Sequence, residues 1–228
     1  MPLAEPLIGG NAFAYLAECL ATDFVSSLGP FVDRLECEFA AFIGTRYAVA
    51  CGSGAAALHL ALRSLGIGPG DEVLMRTLAF VASANPICYQ GGTPVFVDSE
   101  EESLNLDPAI VIDELDRRTR LGLWQPAAIE VVHLVGHRAD LQPIMDSAER
   151  HGVAVVQDAS EALGATYASR PPARRSRGTT QARRAAGGPG GCGGSFARPD
   201  AAAGTAASYG GSGLVPVGAV RWCLVPTA

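Results

Sequence analysis

VAVVQDASEALGATYASRPPARRSRG, residues 153–178, changes character half-way along. Its first six residues are a short apolar run that closes on a carboxylate, Asp158. Its second half is Arg, Pro, Ala and Gly with no hydrophobic period. An apolar strand ending on a charged residue suits a buried strand of a parallel sheet, where ligands gather at the carboxyl ends of the strands.

Upstream, the same alternation of elements repeats. NAFAYLAECLATDF (11–24) and FVDRLECEFAAFIG (31–44) carry apolar residues at helical spacing, with Phe31, Leu35, Phe39 and Phe42 on one stripe. YAVAC (47–51) reads as a strand that a Gly-containing turn joins to the helix AAALHLALRSLG (55–66). PGDEVLM (69–75) reads as turn then strand, FVASANPICYQ (80–90) as a helix despite Pro86, and TPVFVD (93–98) as a strand. DPAIVIDELDRR (107–118) is a helix opened by Asp107 with Pro108 at its first position. AAIEVVHLVG (127–136) and VAVVQD (153–158) are strands flanking the helix 139–152. Strands separated by covering helices predict an α/β fold built on a mostly parallel sheet.

Downstream, residues 170–228 form a Gly/Ala/Arg/Pro tail of low complexity, predicted to be disordered because it cannot bury enough apolar surface to offset chain entropy. Charge divides at the same place. Residues 1–169 carry 22 acidic residues against 9 Arg, while residues 170–228 carry one Asp against 8 Arg, for a net charge of −6. The basic tail has no interleaved aromatics, so nucleic acid is not expected as a partner. No apolar run approaches the roughly 18 residues of a membrane helix, and no secretory leader opens the chain. Six scattered cysteines without a CxxC pair read as reduced, buried thiols of a cytoplasmic protein, with no metal site. All 17 basic residues are Arg; the chain contains no Lys.

Three positions carry candidate chemistry. CGSGAAALHLAL (51–62) joins a strand end to a helix N-terminus through small residues, either for tight packing or as a phosphate cradle. Phe80, just past a strand end, is either core or a platform for a flat heterocycle. Asp158 either caps the next turn or pairs with a protonated ring nitrogen, and Glu161 could reach the same side. A phosphate cradle, an aromatic platform and a strand-end Asp are together what pyridoxal 5′-phosphate requires.

EPLIGGNAFAYLAECL (5–20), FVSSLGPFVDRLECEFAAFIGTRYAVACGSGAAALHLAL (24–62), GDEVLMRTLAFVASANPICYQGGTPVFVD (70–98), LNLDP (104–108) and VVHLVGHRADLQPIMDSAERHGVAVVQDASEALGA (131–165) resemble the nucleotide-sugar aminotransferases of the DegT/DnrJ/StrS type, in particular the LegC-like branch. The resemblance implies the three-layer αβα sandwich of the PLP-dependent, aspartate aminotransferase-like (fold type I) large domain, here incomplete. It implies that residues 1–169 form the N-terminal part of that domain. It places Gly54, Ala55 and Ala56 at the cofactor phosphate, Phe80 on the pyridine ring, Asp158 at the ring nitrogen and Glu161 near the phenolic oxygen. Ala55 stands where the family usually has Thr. Ser26, Ser27 and Gly29 fall in the loop that faces substrate. His133 ends its strand as either a core histidine or a site residue, and Arg76, where Pro is usual, has no assigned role.

The family's activity is amino transfer, from glutamate, to a nucleotide-linked keto-deoxy sugar, by a homodimer. Its Schiff-base Lys lies in a segment resembling SFNGNK. Here GCGGSFARPD (191–200) has the Ser-Phe pair and no Lys follows, so no catalytic residue is assigned. A missing covalent group costs on the order of 4 kcal/mol or more in barrier height. The chain is therefore expected to be inactive as written, truncated or frameshifted after about residue 169, with at most weak, non-covalent cofactor binding. The alternative is a non-catalytic fragment or pseudoenzyme that binds PLP or a partner subunit.

Overall fold

The computed structural model describes residues 9–45 and 47–165. Contacts divide the chain into two units, Met1–Ala50 and Cys51–Ala228. The expectation of a disordered tail over 170–228 lies outside the described residues.

The first unit holds α1 (Ala12–Ala21) and α2 (Pro30–Ile43). Pro30 sits in the first turn of α2, where its missing N–H would have had no helical partner. Tyr15 and Phe31 tie the two helices, with ring centroids 5.5 Å apart, and Arg34 lies over the Tyr15 ring.

The second unit is a parallel sheet with helices on both faces. Its elements run α3 (Gly54–Ser64), β1 (Glu72–Arg76), α4 (Val81–Tyr89), β2 (Thr93–Val97), α5 (Pro108–Leu121), β3 (Ala128–Val132), α6 (Leu141–His151) and β4 (Ala154–Asp158). The strand order is β2-β1-β3-β4, and every pairing is parallel. Parallel neighbours need a crossover, and each crossover here contains a helix.

Alternation along the strands sorts the core into two layers. Leu74, Ile129, Val131 and Val155 pack with Val111 and Leu115 of α5 and Ile144 of α6. On the other face Val73, Met75, Ala154 and Val156 pack with Leu58 and Leu62 of α3 and Ile87 of α4. Burying a Leu or Val side chain contributes about 1.5–3 kcal/mol, so each layer is a substantial source of stability. Three layers, helices–sheet–helices, match the expected architecture.

Local chemistry sets the boundaries. The Asp107 side chain accepts the Ala109 N–H at 2.8 Å and starts α5, which ends on left-handed Gly122. Two expectations need correction. The run at 47–51 is not a regular strand among the described residues: 47–50 have no regular structure, and only Cys51 takes part in a β-bridge. A strand exists only where a neighbour takes its N–H and C=O groups. The strand expected over 127–136 stops at Val132, because Val135 has φ +51° within a short 3-10 turn, Leu134–Gly136. The cysteines also differ from the expectation of burial: Cys19 and Cys51 are only partly buried and Cys88 is exposed. No helix among the described residues is long and apolar enough to cross a membrane.

Candidate functional site

The carboxyl ends of the strands gather the polar residues of the second unit. Asp158 closes β4 and is 7% exposed. Its Oδ2 accepts the Ser83 hydroxyl of α4 at 2.9 Å. Its Oδ1 accepts the Ser160 N–H at 3.1 Å and the Ser160 hydroxyl at 2.6 Å. Three donors thus satisfy both oxygens of this buried side chain.

Those serines connect Asp158 to the starts of two helices. The Ser83 N–H bonds the carbonyl of Phe80, the residue that caps α4, so the first turn of α4 holds Phe80 and Ser83 together. The Phe80 ring is 73% exposed, which fits a platform and corrects the core alternative. On the other side, a Cβ added to Gly54 would stand 3.0 Å from the Ser160 oxygen. Glycine there allows the N-terminus of α3 to approach the Asp158 turn. Ser53 caps that helix, accepting the Ala56 N–H at 3.2 Å. Gly54 and Ala55, as first-turn residues, have N–H groups without a helical acceptor, and the helix dipole favours an anion at that point.

Gly54, Ala55, Ala56, Phe80 and Asp158 are therefore brought together. Glu161 follows β4 on an exposed turn, with Oε2 accepting the Val135 N–H at 2.7 Å, so it tethers the loop after β3. Ser26, Ser27 and Gly29 lie in the first unit, in the connection before α2. Gly29 has φ +145°, and a Cβ there would meet the Phe24 ring at 2.9 Å, so that turn requires glycine.

His133 is a core histidine. It is fully buried, its Nδ1 accepts the Ala139 N–H at 3.2 Å, and burial lowers its pKa to about 4, with Arg138 adding to the shift. Arg76 is also fully buried. Its Nη1 donates to Asn105 Oδ1 at 3.1 Å, and burial pulls the guanidinium below its ordinary value against the opposing pull of Glu100 and Glu161. Asn105 uses its whole amide here, accepting also from the Leu134 N–H and donating to Ser103 and the His137 carbonyl.

Sequence reasoning missed Ser53, Ser83, Ser160 and Glu130. Ser53 before a small-residue helix is an N-cap signal, and Ser160 two residues after Asp158 is an Asx-turn signal. Nothing local announces Ser83, which meets Asp158 across 75 residues.

GDP-perosamine synthase of Caulobacter vibrioides is 44% identical over 165 residues, 72% of this chain and 43% of that protein. Among solved structures, DesV of S. venezuelae is 38% identical with a TM-score of 0.63, covering 72% of this chain and 43% of that one. NtdA of Bacillus subtilis, solved with bound cofactor PMP, is 30% identical with a TM-score of 0.59, covering 67% and 33%. The chain thus spans less than half the length of these relatives. The sequence profile of the DegT/DnrJ/EryC1/StrS aminotransferases matches residues 6–182, so the chain belongs to that family.

Proposed function

We propose that the second unit builds the cofactor-holding part of a PLP-dependent nucleotide-sugar aminotransferase, and that this chain alone holds the coenzyme without a covalent bond. The observation that carries the reading is the Phe80–Ser83–Asp158–Ser160–Gly54 connection, which brings an aromatic ring, a buried carboxylate and a helix N-terminus to one strand end.

The residues fit the group. The N–H groups of Gly54 and Ala55 would meet its phosphate beside Ala56, whose N–H is held by Ser53, with the helix dipole adding to the attraction. Phe80 presents an exposed face for the ring. Asp158, its charge supported by Ser83 and Ser160, would hold a proton on the ring nitrogen, and Glu161 would lie near the phenolic oxygen. Ser26, Ser27 and Gly29 would face the sugar substrate. When bound, pyridoxal phosphate supplies the electron sink for amino transfer. The amino donor would be glutamate and the acceptor a nucleotide-linked keto-deoxy sugar, with the working enzyme a homodimer in the cytoplasm. The 228 residues contain no Lys, so the chain offers no side-chain amine to anchor the aldehyde or move a proton at the substrate carbon. Turnover by this chain alone is therefore not expected.

The test is a titration of the purified chain with pyridoxal phosphate, followed by absorbance and intrinsic fluorescence. Saturable binding is expected, weakened roughly tenfold or more by Asp158→Asn. Equal binding by Asp158→Asn, or coenzyme that borohydride fixes to a side chain, would overturn the reading.

A further inference from the structure

Glu130 lies at the middle of β3, fully buried, and neither of its carboxyl oxygens has a hydrogen-bond partner among the described residues. Its register partners are Met75 on β1 and Val156 on β4. Alternation puts it on the sheet face covered by α3 and α4, and Asp158 lies on that same face two residues beyond Val156. The side chains around it there are apolar, with the partly buried Cys51 thiol at the margin of the layer. On the covering helices, His59 is half-buried against Tyr89 and Arg63 is exposed, while Ser83 is the buried polar residue of α4. Asp158 is thus the acid that shares this face with Glu130.

Two carboxyl groups in one apolar layer do not both ionise readily, and the proton settles on the group whose charged form has less support. Asp158 has three donors. Glu130 has none. We propose that Glu130 is a positioning residue that stays a neutral acid and so leaves the negative charge of this face on Asp158, where the ring nitrogen would sit. The role toward the ring rests on the coenzyme reading above; the protonation of Glu130 does not. Burial, reinforced by Asp158, holds the Glu130 carboxyl well above the usual carboxylate range.

The experiment compares the full 228-residue chain with Glu130→Gln and Glu130→Leu. At neutral pH the infrared spectrum of the unaltered chain should contain a protonated-carboxyl C=O stretch that Glu130→Gln removes; a difference spectrum holding only carboxylate bands would overturn the proposal. Glu130 should add to the urea midpoint a component that falls as pH rises from about 4.5, the ordinary glutamate value, toward the raised folded-state value, opposite in sign to the component from His133. Both variants should lose that slope, and a slope unchanged in both would count against a neutral Glu130. Glu130→Leu guards against the case in which Glu130→Gln fails to fold, and should be at least as stable as the parent at neutral pH. Pyridoxal phosphate affinity of Glu130→Gln should stay within about twofold of the parent, and a roughly tenfold loss would mean that the charge sits on Glu130. If the parent binds no pyridoxal phosphate, the coenzyme reading fails alone, and the infrared and pH results still decide the state of Glu130.

Discussion

The two ends of the sheet use charge in opposite ways. At the amino end, Arg118 of α5 bonds Glu72 at 2.5 Å, Glu114 at 2.7 Å and the Trp124 carbonyl at 3.1 Å, and Arg117 doubles the contact with Glu114. Glu72, Arg117, Arg118 and Trp124 border an open depression of about 490 Å³, and the three charges among them are paired within the protein. Toward the carboxyl end, Arg76 Nε and Nη2 and, at mid-strand, both oxygens of Glu130 are buried with no hydrogen-bond partner among the described residues. Orphaned buried groups cost stability, so a fold keeps them where another demand outweighs that cost.

Acid should expose the contrast most strongly. His133 has a folded-state pKa of about 4 against an ordinary 6.5, so protonation favours the unfolded chain. Its stabilisation is complete above 6.5 and lost as pH falls toward 4, about 3 kcal/mol in all. Glu114, held at about 2 by Arg117 and Arg118, acts lower, with stability lost between about 4.5 and 2. In the Glu130→Gln background, where the opposing Glu130 contribution is absent, urea midpoints should fall in two stages as pH drops across this range. His133→Asn, whose side-chain oxygen can still accept the Ala139 N–H, should abolish the upper stage and leave the lower. A single stage below 4.5 in that background would erase the distinction.

Arg118→Met tests the amino end. The substitution keeps the packing of the stem and removes the guanidinium, leaving Glu72 without its partner and Glu114 with Arg117 alone. Because those carboxylates are partly solvated, the loss should be about 2 kcal/mol by urea unfolding, less than for a fully buried pair. Pyridoxal phosphate affinity should not change. Weaker binding by Arg118→Met would mean that the two ends are coupled.

The division between ends was only half legible in the residues. Asp107–Pro108 before α5 and alternating apolar runs in β1 and β4 are local signals, and the helices follow them to within a few residues. Asp158 was legible because it interrupts an apolar run at its end. Glu130 was hidden for the converse reason: within AAIEVV a single acid looks like a solvent-facing strand position, and only the helices on both faces show that it is buried. The run at 47–51 misled because an apolar pentapeptide holding Tyr47 and Val49 states a preference, and pairing depends on a neighbour that the run does not contain. Ser83 could not be assigned at all, since its meaning depends on a carboxylate 75 residues away.

The smallest expected effect is also the most specific to the carboxyl end. Gly54→Ala replaces the first residue of α3. Two opposing changes follow. Alanine restricts the unfolded chain and suits a helix, a gain of less than about 1 kcal/mol at this terminal position. Its Cβ would press to 3.0 Å from the Ser160 oxygen, which must retreat by a few tenths of an ångström. Global stability should therefore move by no more than about 0.5 kcal/mol. The Ser160 hydroxyl, however, is one of the three donors on Asp158, and its retreat loosens the carboxylate while crowding the phosphate end of the site. Pyridoxal phosphate binding should weaken by roughly threefold while the urea midpoint stays nearly fixed. A change in midpoint with unchanged affinity would mean that Gly54 serves only helix packing, and that the carboxyl end is less finely tied together than its hydrogen bonds suggest.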